Sequence, residues 1–157
     1  MLFFKRLRKD VQDMNKHIYD ALDIAKYIVN KCTSENRPIT NLQLQKILYF
    51  LQKQHLEKYG NCLFKDDIQA WQFGPVVPEV YYYFCGFGSS TITMNYSIRI
   101  DEDDVQMMNP IIIDKRQKKP WDLVSETHKQ GKAWDLTYMD GLGNRDVISP
   151  ELIRVKG

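Results

Sequence analysis

Three histidines, three cysteines and a run of four acids are the residues of this chain with the means to do chemistry. His17, His55 and His128 fall on three separate stretches. A histidine base needs a nucleophile within hydrogen-bond reach. Ser125, Thr127 and His128 are close in sequence, but side chains one or two residues apart on a helix do not face each other. His128 therefore reads as a structural histidine, hydrogen-bonded across the core. Cys85 stands among aromatic residues with no basic neighbour to lower its pKa. Cys32, Cys62 and Cys85 are odd in number and form no Cys-x-x-Cys pair. They read as free thiols in a reducing cytosol. Asp101, Glu102, Asp103 and Asp104 lack the spaced ligands and glycine turn of a calcium loop, so they read as a solvated acidic turn. The run from Gly86 to Ser90 has no following Lys-Ser/Thr and leads into a predicted strand, unlike a phosphate loop. No catalytic signature, metal site or cofactor site emerges. The enzymatic alternative, a hydrolase using His128 with an acid from residues 101–104, has no pattern behind it.

The 157 residues point to one domain, long enough to bury roughly 70% of the surface its unfolded chain exposes. Apolar and charged fractions of 43% and 27% are those of an ordinary globular protein. The net charge of +2 hides an asymmetry. Lys5, Arg6, Arg8 and Lys9 crowd the start, leaving 18 basic against 20 acidic residues elsewhere. Residues 1–15 read as a basic N-terminal arm and 16–157 as the domain. A fraying start, a membrane-touching patch and a partner contact all fit the arm. A near-neutral body argues against broad capture of nucleic acid. No apolar run reaches the ~20 residues of a membrane span.

The elements that must position these residues are mostly helical. Ile18, Ala21, Leu22, Ala25, Ile28, Val29 and Cys32 recur at helical spacing within Asp10 to Cys32. Thr40 with Gln43 forms a capping box for a second helix that ends at Gly60. Leu44, Ile47, Leu48, Leu51 and His55 share its inner face, and the Gln- and Lys-rich opposite face reads as solvated. Ile68 to Phe73 alternates as a short strand, broken by Gly74-Pro75. Pro78 starts a helix that ends at Gly86 and Gly88. Ile92 to Ile100 alternates with period two and predicts a strand paired with the one ending at Phe73. Asn109-Pro110 predicts a helix start, as does Pro120 for Trp121 to Lys129. A short turn covers Ala133 to Met139, Val147-Ile148 adds a short strand, and Ser149-Pro150 caps a last helix. The expected fold is α+β, a mostly helical single domain with a small two- or three-stranded antiparallel sheet.

The stretch AWQFGPVVPEVYYYF, Ala70 to Phe84, carries six aromatic residues around a Gly-Pro-Val-Val-Pro turn. Trp71, Phe73, Tyr81 and Phe84 are expected to pack the second helix, with Gly74 and Pro75 setting a tight strand-to-helix turn. Tyr82 and Tyr83 are left pointing outward, and exposed aromatic clusters mark contact sites.

Five stretches then occur in a recognisable order: DIAKYIV, ITNLQLQKILYFLQ, AWQFGPVVPEVY, DLVSETHKQGKAWD and ISPELI. Together they resemble the Panacea, or SocA-like, phage-associated domain family over Tyr19 to Ile153. The resemblance implies a cytoplasmic, non-enzymatic antitoxin of a toxin–antitoxin system. Its partner would be a cognate protein toxin, neutralised by direct non-covalent binding. An adaptor that hands the toxin to a AAA+ protease is the alternative it also implies. A DNA-binding regulator built on the first two helices is a second alternative, weakened by a joining segment too long for a helix-turn-helix. The expected partner-binding residues are Trp71, Phe73, Gly74, Pro75, Val76, Pro78, Tyr82 and Tyr83.

Overall fold

In the computed structural model, described over residues 1–6 and 18–157, the fold is organised around one long central helix. The first helix, α1 (Ala21–Ser34), buries Ala21, Ile24, Ala25, Ile28, Val29 and Cys32. The central helix is α2 (Asn41–Tyr59), capped by the predicted Thr40–Gln43 box and ended by Gly60 at φ +78°. A two-stranded antiparallel hairpin follows, β1 (Gln69–Trp71) and β2 (Gly74–Val76). Then come α3 (Pro78–Phe84), α4 (Glu102–Arg116), α5 (Pro120–Thr127), α6 (Ala133–Tyr138) and α7 (Pro150–Lys156). The expected mostly helical α+β fold with a small antiparallel sheet is what forms. Pro78, Pro120 and Pro150 all sit in the first turn of their helices, and the Ser149 hydroxyl accepts from Leu152 N–H. Of the predicted basic arm, residues 7–15 lie outside the described residues, as does His17. Ile18 is 45% exposed and precedes α1.

The central helix α2 touches α1, α3, α4, α5, α7 and β2. Its Gln- and Lys-rich face is therefore solvated only toward its end, at Gln54 and Lys58, and not along its first three turns as the spacing had suggested. Gln43, Gln45, Lys46 and Gln52 of that face are all buried, as His55 is on the inner face. Buried polar groups must find partners, and these find them on the backbone of the loops wrapped around the helix. Gln52 accepts from Leu63 N–H at 2.8 Å and donates to Phe64 O at 2.9 Å. Gln45 accepts from Val77 N–H at 2.9 Å, and Gln43 donates to Lys118 O at 2.9 Å. An amide offers both donor and acceptor, so one Gln replaces a missing strand neighbour for an irregular segment.

The same substitution explains the segment Ile92–Ile100, which is not a strand. Its alternation survives in part as burial, with Ile92 and Ile100 enclosed, Tyr96 and Ile98 half-buried and the odd positions exposed, while Met94 is exposed too. Yet Asn30 of α1 takes both backbone groups of Tyr96, at 2.6 and 2.7 Å, and Ile92 N–H donates to Ile39 O. The predicted pairing with the strand ending at Phe73 is absent. Instead β1 pairs with β2 and, through a bridge at Gln69, with Val147. Gly74-Pro75 does not end the strand but opens β2, the turn being Gln72-Phe73. The acids of 101–104 are not a turn: Glu102, Asp103 and Asp104 form the first turn of α4, where the helix dipole favours them. Asp104 is buried and accepts from Tyr19 Oη at 2.8 Å. Pro110 lies inside α4 and does not start it.

Candidate partner-binding groove

The hairpin tip, the start of α2, α3 with the loop after it, α5 and the loop before α7 enclose a groove of about 590 Å³. Its wall is aromatic. The Phe73 ring meets the Trp121 ring edge-on, with centroids 5.2 Å apart, and the two residues are 47% and 60% exposed. Trp71 packs against Tyr81 at 5.1 Å and Tyr82 at 6.0 Å. The Arg145 guanidinium lies over the Trp71 ring, 4.3 Å from its centroid. The hairpin is anchored from behind, where Trp134 Nε1–H donates to Trp71 O at 2.8 Å. Trp121 is held in place through α5, whose Glu126 pairs with Lys118 and, at 2.7 Å, with Lys115.

Of the residues expected to meet a partner, Trp71, Phe73 and Val76 line this groove, and Tyr82 stands beside it against Trp71. Gly74 and Pro75 are buried under it, and Pro78 is half-buried at the start of α3. Tyr83 packs the other way, toward Tyr96 and the Lys26 ammonium. The expected core role holds for Phe84, which is fully buried. It fails for Phe73, because a residue at a hairpin tip projects beyond the layer the strands cover. Trp71 and Tyr81 are half-buried.

A family model described as "Antitoxin SocA-like, Panacea domain" matches residues 44–135, more than half the chain. The chain belongs to the SocA-like Panacea domain family. A curated relative, "Antitoxin SocA" of Caulobacter vibrioides, is 30% identical over 131 residues, covering 74% of this chain and 69% of the relative. No solved structure matches. The family match spans the hairpin, Trp121 and the start of α6, but stops short of Arg145.

Beneath the hairpin lies the residue that sequence reading missed. Lys46 of α2 is fully enclosed, and its Nζ donates to Pro75 O at 3.0 Å. No carboxylate among the described residues pairs with it. Burial without a counter-charge pushes its pKa down to about 7. An amine tuned near neutrality suits proton transfer or Schiff-base chemistry, but this one is sealed from solvent and pressed against Gly74. Close by, His128 stacks on Trp134 at 3.7 Å. Its Nε2 is buried without a hydrogen-bond partner, so the expected bond across the core is missing. Burial first, and then the Lys46 charge, lower its pKa. No group of three or more His, Cys, Asp or Glu among the described residues is placed to hold a metal ion. Among the described residues, no helix is long and apolar enough to cross a membrane.

Proposed function

We propose that this protein is an antitoxin that neutralises a protein toxin by non-covalent binding, and that the aromatic groove is its docking surface. The observation that carries the reading is the Phe73–Trp121 pair, two large rings left exposed on a rigid support. Exposed aromatic residues around a depression are the usual anchors of a protein interface. Membership of a family described as SocA-like antitoxins supports the role. Neutralisation then needs no reactive group: the partner's harmful surface is covered, and no bond is made or broken.

Pull-down from the native host identifies the toxin, and a Phe73→Ala, Trp121→Ala double variant tests the surface. The two residues are 47% and 60% exposed, so the variant keeps its fold. Its affinity for the toxin falls roughly 100-fold, the scale of two aromatic hot spots, and protection of cells is lost. Unchanged protection by the folded double variant places the docking surface elsewhere. A proteolytic adaptor would share this docking step. It differs in one measurable way, since toxin levels would then fall only in cells that contain the AAA+ protease.

A further inference from the structure

The groove is charged with one sign. Among the described residues, Arg145 and Lys46 are its charged lining, and no Asp or Glu lines it. Lys46 is sealed, which leaves Arg145 as the accessible cation. The guanidinium is already oriented, stacked on Trp71 and donating from Nη1 to Tyr82 Oη at 3.3 Å. Its charge, however, is unmet. No carboxylate among the described residues pairs with Arg145, whereas Arg116 and Arg154 each hold a glutamate.

The backbone gives an independent pointer. Arg145 stands at φ +68°, a conformation that side chains bearing a Cβ rarely adopt. Among the described residues, the others outside glycine are Asn36, Met139 and Asp140, so the strain gathers in the loop that ends at Arg145. That loop is pinned to the hairpin, with Arg145 N–H donating to Ala70 O at 2.7 Å and Ala70 N–H to Asp146 O at 2.9 Å. Strain held in place by surrounding hydrogen bonds gathers at ligand clamps.

We propose that Arg145 receives a carboxylate from an extended, apolar segment of the partner, whose aromatic or aliphatic side chain lies against Phe73 and Trp121. This rests on the groove being the docking surface. The planar guanidinium fork matches a carboxylate with two parallel hydrogen bonds. Stacking on Trp71 removes much of the entropy cost of orienting it. A nucleic acid strand is the poorer fit, because it needs several phosphate contacts and the groove offers one accessible cation among the described residues.

The probe is a random heptapeptide library displayed on phage and selected against the full chain. The selected pool is enriched in peptides that carry Asp or Glu next to Phe, Trp, Leu or Ile. Selection on Arg145→Asn, a residue that tolerates positive φ, keeps the apolar preference and loses the acidic one. Changing the acid of a selected peptide to its amide weakens binding to the wild type about tenfold, the scale of one charge-assisted pair, and leaves binding to Arg145→Asn unchanged. Arg145→Lys, which keeps the charge and loses the fork, retains a weakened acidic preference. The proposal is overturned by a pool with no acidic preference, by one that persists in Arg145→Asn, or by an oligothymidylate that displaces the peptides. If the Phe73→Ala, Trp121→Ala variant loses the toxin while no acidic preference appears, the groove stands and the carboxylate does not. If neither is affected, the groove itself is wrong.

Discussion

Replacing Lys46 with Met flattens the dependence of folding stability on pH above neutrality. The folded-state pKa of Lys46 is about 7, against an ordinary 10.5. Between those values the unfolded chain holds a proton that the folded chain has released. Stability therefore rises with pH across that window, and the full penalty of burying the charge is present below it. From pH 7 to 8.5 the wild type gains roughly 1.5 kcal/mol from this group. His128, held below its ordinary value, completes its smaller contribution near neutrality. Cys32 and Cys62 are pushed up by burial, so they begin to lower stability only as pH nears their unfolded values. Comparing the two proteins at each pH cancels the cysteine terms; the His128 term does not cancel, because the Lys46 charge helps to lower it, but it is complete near neutrality and leaves the slope above it to Lys46. Urea denaturation at pH 7, 7.75 and 8.5 gives the slopes. The absolute stability of the variant depends also on Pro75 O, which loses its donor at a cost of about 1–3 kcal/mol. The slope is the readout, and equal slopes would mean that Lys46 is not the buried, uncompensated cation described here.

Gly74→Ala destabilises the protein by about 3 kcal/mol, from backbone strain and overpacking together. Gly74 stands at φ +114°, where a side chain is strained whatever the space around it. A Cβ there would lie 2.7 Å from Lys46 Cε and 2.8 Å from Thr127 Oγ1. Neither neighbour yields readily. Lys46 is enclosed on all sides, and the Thr127 hydroxyl donates to Val124 O at 2.9 Å. Gly60→Ala is the matched control. It also has positive φ, at +78°, but nothing lies within 4 Å of its would-be Cβ. It costs about 1 kcal/mol, the conformational part alone. The difference between the denaturation midpoints of the two variants reads what the collision and the larger φ at Gly74 add together. If Gly74→Ala costs no more than Gly60→Ala, the close packing of the hairpin on α2 is not as described. The displaced hairpin tip carries Phe73, so toxin binding falls with it.

Local signals carried the sequence reading furthest. The Thr40–Gln43 box, Gly60, and the prolines at 78, 120 and 150 act within one helical turn, so no knowledge of the fold is needed to read them. Local signals misled at Pro110 and at the acids of 101–104, both of which belong to α4; the larger failures were non-local. Ile92–Ile100 has a true strand alternation, but whether a ladder forms depends on what lies alongside, and Asn30 does. The polar face of α2 looked solvated because Gln and Lys are usually exposed. Nothing in the spacing announces that loops will wrap that face and need its amides. For the groove, the stretch around Trp71 and Phe73 was visible as an aromatic excess. Trp121, Trp134 and Arg145 come from distant parts of the chain, and only the packing of α5, α6 and the loop before α7 brings them to the hairpin. A sequence signal for Arg145 exists only in retrospect, in the glycine-rich run just before it.

Amide hydrogen exchange on the free protein and on its complex with the identified toxin probes the docking surface most directly. The groove reading predicts slowed exchange at Gln72-Phe73, at Trp121 and its neighbours in α5, and at Asn144-Arg145, with little change along α1 or α7. Protection confined to α1, α7 or the N-terminal residues, with the hairpin tip unaltered, would contradict it.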